Sequence, residues 1–172
     1  MLLDTDHYLT GTHQAGFTQA INEAKQKGVN VALSRPCFEL WLLLHHLDES
    51  HANSLENAKR VEQMLREKLG EYNKTKLKPE HYPRTAIAEA SKRAARLDQT
   101  VSGGDIPNAA TTRVYLLINS ITSKLPFWQQ LQGRPTEFSL LITQRIHRIQ
   151  LRRLVRWPHT KKQTYSHGNS EA

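Results

Sequence analysis

With one cysteine in 172 residues, Cys37, the chain has no internal disulfide framework and no multi-cysteine zinc site. That lone thiol reads as a buried group in a reducing compartment. Long apolar runs are also missing. Nothing approaches the roughly 18 residues of a membrane span, and the longest runs, Leu40 to Leu44 and Tyr115 to Ile118, suit buried elements. The amino terminus lacks a basic stretch followed by an apolar one, so no secretory signal is read and a cytoplasmic, membrane-free location is expected. Aromatic residues are scarce at 7%, and hydrophobic residues make up 38%. The length allows one cored domain rather than two.

What is abundant is positive charge, and it is unevenly placed. The net charge is +8. Residues 125–172 hold eight Lys or Arg against two acidic residues, which leaves sixteen against fourteen in the rest. The basic signal therefore belongs mostly to the tail and does not mark the body of the domain as a nucleic-acid surface.

Along the chain, Met-Leu-Leu reads as a short buried strand ending at Asp4. Thr12 caps a helix carrying Phe17, Ala20, Ile21 and Ala24, stopped by Gly28, and Val29 to Leu33 reads as a second strand. Strand, helix and strand with short joints make a βαβ unit with parallel strands. Pro36 opens a helix whose Phe38–Leu47 stretch is apolar nearly all round, hence buried. Asn53 with Glu56 reads as a capping box for a helix to Leu69, with Ala58, Val61, Leu65 and Leu69 inward and Gly70 closing it. A polar loop (71–83), a helix over 85–98 and a Gly103-Gly104 turn follow. A helix over 111–125 carries an apolar face at Val114, Leu117, Ile118, Ile121 and Leu125. Residues 126–159 read as a basic amphipathic extension, with Arg145, Arg148, Arg152, Arg153 and Arg156, and 160–172 as a disordered tail. Two parallel strands alone are a poor unit, because such strands are covered on both faces and need neighbours. The expectation is a chain truncated at its amino terminus.

Two constellations can carry chemistry. Asp4 and Asp6 flank Thr5 where the first strand ends, and residues two apart on a strand share a face. Such a pair suits Mg²⁺, which takes one or two carboxylates with water and substrate phosphate; it equally suits a turn cap. The crevice beyond the carboxyl ends of parallel strands is where open α/β sheets bind ligands, and Ser34 should face it too. The second is Ser34-Arg35-Pro36-Cys37-Phe38-Glu39-Leu40-Trp41-Leu42-Leu43-Leu44-His45. Glu39 and His45 interrupt an apolar helix, so each needs a partner or a shifted pKa. Either borders a site or is a satisfied structural group, while His46 is expected to face solvent. Tyr72, Lys74, Lys76 and Lys78 offer a base-stacking ring and phosphate contacts, or simply a solvated loop.

The hydrophobic-Asp-x-Asp end, the helix, the Val-x-Val-Ala-Leu-Ser strand and the Pro-Cys-Phe-Glu-Leu-Trp-Leu-Leu-Leu-His block together resemble the RloB family over about 2–125. Leu-Gly-Glu-Tyr-Asn-Lys from Leu69 and the Asn108–Leu116 stretch are similar to later blocks. The resemblance implies a TOPRIM-like (Rossmann-like) α/β fold, a partial parallel sheet with a βαβ unit followed by a mostly helical region. It implies a bacterial phage-defence or restriction setting, often beside an ATPase partner. It also implies Mg²⁺-dependent phosphodiester chemistry on DNA or RNA, with Asp4 and Asp6 as the metal pair and Ser34, Glu39 and His45 bordering it. Two departures stand out. The family's upstream glutamate block is not matched, since only Met1 to Leu3 precede Asp4, and Ala109 stands where a proline is usual. From the first departure the chain is expected to be weakly active alone. The alternative is a non-catalytic nucleic-acid- or ATPase-binding module.

Overall fold

In the computed structural model, residues 1–6, 8–9, 13–52 and 54–124 are described. The expected caps at Thr12 and Asn53, the basic extension and the tail lie outside them. Strand β1 (Leu2–Asp4), helix α1 (His13–Gln26) and strand β2 (Ala32–Arg35) form the βαβ unit, with β1 and β2 parallel. Alternation along each strand decides what covers the sheet. Leu3 and Leu33 meet Phe17 and Ile21 of α1, one turn apart on its inner stripe. Leu2 and Ala32 join the larger core, built from the helices on the other face. Covered on both sides, these strands need no polar alternation.

The sheet gains a third strand, β3 (Thr111–Thr112), antiparallel to β2, giving the order β1-β2-β3. This corrects the reading of 111–125 as one helix. The two β-branched threonines extend the sheet, and helix α5 (Val114–Lys124) begins only after Arg113, whose amide donates to the Leu33 carbonyl at 2.8 Å. β2 therefore has a neighbour on each side.

Helix α2 (Glu39–Leu43) is short and buried all round. It follows a cis Arg35–Pro36 peptide rather than opening at Pro36. Beyond it the amides of His45 and His46 donate to the carbonyls of Leu42 and Leu43, so the chain tightens into turns through Leu47. Helix α3 (Ala58–Leu69) is capped by Asn57, whose side-chain oxygen accepts from the Lys59 amide at 2.9 Å. The start therefore falls at Asn57 rather than at the Asn53–Glu56 box. Val61 and Leu65 are its fully buried stripe, and Gly70 leaves it at φ 75°. Helix α4 (Arg84–Gln99) buries Ile87, Ala90, Ala94 and Leu97 at helical spacing. Its Asp98 accepts from Arg113 Nε at 3.0 Å and from the Tyr115 hydroxyl at 3.1 Å, which locks α4 to β3 and α5.

The turn before β3 depends on Gly103. Its φ is 107°, and a Cβ there would stand 2.5 Å from the Ile106 carbonyl oxygen and 2.9 Å from the Asn108 amide nitrogen. Both obstacles are backbone and cannot swing away. Gly103→Ala should cost more than about 1 kcal/mol, read as a lower urea midpoint at unchanged m-value. Gly16→Ala, with nothing within 4 Å of the new methyl, should be neutral or mildly stabilising.

Candidate functional site

The parallel register pairs Asp4 with Ser34, so the sheet itself brings the two residues side by side at its carboxyl end. By alternation both belong with Leu2 and Ala32 on the face of the larger core. Ser34 is fully buried, and its hydroxyl lies 2.8 Å from that of Thr112 across the β2–β3 pair. The turn carrying Asp6 is pinned to the exit of β2. The Thr5 amide donates to the carbonyls of Ser34 and Pro36, and the Asp6 amide donates to Pro36 at 3.0 Å. Thr5 is buried, whereas Asp4 and Asp6 are part-exposed.

Cys37 links this end of the sheet to Glu39. Burial first, then the charges of Glu39 and Asp4, push its thiol far above the ordinary range. It is a protonated, inert thiol, which agrees with the sequence reading. Glu39 is the hub of a second polar cluster, which Cys37 joins to the sheet end. Its side chain is 6% exposed; Tyr72 Oη donates to Oε1 at 3.0 Å, and Lys74 Nζ stands 3.0 Å from the same oxygen. Lys74 also reaches Glu62 at 3.3 Å. Burial alone would raise the Glu39 carboxyl, but the Lys74 ammonium and the hydrogen bonds outweigh it and hold the group below the ordinary glutamate range. Burial and the same carboxylate push the Tyr72 hydroxyl far up.

His45 lies elsewhere, among aromatic rings. It is buried, edge-on to Trp41 at 5.0 Å and to Tyr82 at 5.2 Å. Its Nδ1 is 2.9 Å from the Trp41 carbonyl oxygen, which can only accept, so Nδ1 carries the proton. Burial lowers its pKa to about 4, with the Trp41 carbonyl acting against that shift and His46 and Arg93 adding to it. His46 is half-buried rather than turned to solvent, and its Nε2 is shielded without a partner.

The structure thus joins Asp4 to Ser34, and Glu39 to Tyr72 and Lys74, and sets His45 in a third place. Lys76 and Lys78 are exposed; with Tyr72 they line a 160 Å³ cavity, and Lys78 pairs with Glu71. Sequence reasoning missed Thr112, Tyr82 and Glu62. The β-branched Thr111-Thr112 pair was the one available signal for the first.

Among the described residues no group of three or more His, Cys, Asp or Glu is arranged to hold a metal ion. Two carboxylates, with water and phosphate oxygens completing the shell, are a donor type that Mg²⁺ accepts; Asp4 ends β1 and Asp6 lies in the turn that follows it. No helix among the described residues is long and apolar enough to cross a membrane.

A mixed α/β domain that gathers acidic and hydroxyl groups at the carboxyl end of a parallel strand pair is the class defined so far. The family model for RloB-like protein matches residues 1–121, and the chain belongs to that family. No curated protein and no solved structure matches it.

Proposed function

We propose that the chain acts in a restriction or phage-defence system as a TOPRIM-type, metal-dependent nuclease component, with Asp4 and Asp6 as Mg²⁺ ligands. Family membership supports the setting. The observation that carries the chemistry is the register placing Asp4 beside Ser34 at the strand ends, where α/β sheets bind ligands. When bound there, the metal would offset charge on a phosphodiester and lower the pKa of water. The rest is done by the protein. Asp4 and Asp6 are held by the β1–β2 pairing and the Thr5–Pro36 clamp. Ser34, fixed by Thr112, positions the strand end. Lys76 and Lys78 offer cations to a DNA or RNA strand, while Tyr72, packed on the core with its hydroxyl on Glu39, holds their loop in place. Lys74 reaches Glu39 and Glu62, so its part is to hold that loop against the domain.

A second reading is supported by the lack of a third carboxylate joining Asp4 and Asp6 among the described residues. It is a non-catalytic module that binds nucleic acid or an ATPase partner. Mg²⁺-dependent cleavage of labelled DNA and RNA decides between them. The nuclease reading expects cleavage that falls about 100-fold in Asp6→Asn, the scale on which misplaced phosphoryl chemistry is lost, with strand binding retained. Binding without cleavage at any Mg²⁺ concentration, unchanged by Asp4→Asn and Asp6→Asn, would establish the module instead.

A further inference from the structure

A second cavity of about 420 Å³ opens on the helical side, walled by His45, His46, Lys68, Leu69, Glu80, His81, Pro83 and Ala86. Three of those residues, His46, Lys68 and His81, are cationic or can become so, and they come from three places in the chain. His45 and His46 follow α2, Lys68 lies in the last turn of α3, and His81 ends a 3₁₀ turn (Pro79–His81). The amino-terminal turn of α4 closes the wall with Pro83 and Ala86. Pro83 supplies no side-chain cap, so the positive end of this 16-residue helix adds to the same cavity. His46 is half-buried on this wall with its Nε2 shielded and without a partner, so what the ring brings to the cavity is charge rather than a hydrogen bond from that atom.

We propose that this cavity is a binding site for a phosphate-class dianion, separate from the Asp4–Asp6 site and independent of its function. Lys68 and His81 supply donors, His46 adds charge, and the α4 terminus supplies the field. His45 keeps its Nδ1 proton on the Trp41 carbonyl and forms the neutral floor. A transition-metal site is disfavoured because the histidines do not converge with a third ligand in metal-binding geometry.

Charge in the cavity sets the pH dependence. Facing it are His45, His46, Lys68, Glu80 and His81, with Arg93 acting on His45 and His46 from α4. Burial first, then His81, Lys68 and Arg93, hold His46 below the ordinary histidine range. An anion relieves that repulsion, so binding takes up protons and affinity falls as pH rises. Glu80, on the same wall, opposes Lys68 and so sharpens the effect once His46 is neutral.

Sulfate is the probe, because it stays dianionic across the range. Titrated at constant ionic strength and followed by the histidine ring resonances, it should shift His46 and His81 far more than His13 or His51. Its affinity should be at least about tenfold higher at pH 6 than at pH 8, and it should fall to background in His46→Asn and in the exposed variant Lys68→Met. Uniform shifts across all histidines, a pH-independent affinity, or a response to Zn²⁺ in place of sulfate would overturn the proposal. Oligonucleotides with and without a 5′ phosphate identify the source. A terminal-phosphate requirement points to strand ends, and competition by inorganic phosphate alone points to a free ligand; competition by neither overturns the site.

Discussion

Trp41→Ala should destabilise the protein by about 3–5 kcal/mol, the range for deleting a large buried aromatic. The reason lies in how little else holds α2 in place. A five-residue helix makes too few hydrogen bonds to offset its own nucleation. It exists because Glu39, Leu40, Trp41, Leu42 and Leu43 are all buried, with Phe38 and Leu44 buried on either side. Trp41 is 2% exposed, meets the His45 ring edge to face, and its own carbonyl accepts the hydrogen bond from His45 Nδ1. An alanine there removes the indole from the core and frees the ring that sets His45 apart. Urea denaturation followed by far-ultraviolet circular dichroism measures the loss. A value below about 1 kcal/mol would mean that α2 is peripheral, and His45 would then titrate near the ordinary histidine value of 6.5 rather than about 4.

The βαβ unit was legible because its signals are local. Phe17 and Ile21 repeat at one helical turn, Gly28 takes φ 68° after α1, and the following strand buries Ala32 and Leu33 in succession before the buried Ser34. β3 was not legible. Two residues cannot display a period, and Thr111-Thr112 sits directly before a helical apolar stripe that absorbs them. Only their pairing with Ser34 and Arg35, which sequence does not show, makes them a strand. The start of α3 illustrates a different limit. Asn53 and Asn57 are both competent caps by type, and the choice between them is made by where the buried stripe begins. In the site, the odd chemistry of Glu39 and His45 in an apolar run was visible, but their partners were not. Tyr72 and Lys74 lie more than thirty residues beyond Glu39, and nothing in a lysine-rich loop says which lysine turns inward.

That inward turn makes Glu39→Ala the other large expected effect, a loss of about 3 kcal/mol or more at pH 7, as found when one partner of a buried ion pair is removed. The lower end of that range is expected, because Lys74 is half exposed and keeps Glu62. Tyr72 is the greater casualty, since its part-buried hydroxyl loses the acceptor that holds the loop to α2. Glu39→Gln separates the two contributions, for it retains a carbonyl oxygen for Tyr72 and gives up the charge; its loss should be smaller than that of the alanine variant. The pH dependence follows from the folded pKa lying below the ordinary value of 4.5. A depressed carboxyl contributes stability that is fully present above its unfolded pKa and is lost as pH falls through the folded value. The wild type should therefore surrender its advantage over Glu39→Gln on acidification below pH 4.5, while Glu39→Ala stays the weakest at every pH. Urea midpoints for the three proteins at pH 7 and in the acid range give the result. A gap between wild type and Glu39→Gln that does not narrow in acid would mean that the Glu39 charge is not stabilised by Lys74, and the loop would then be held by packing of Tyr72 and Leu77 alone.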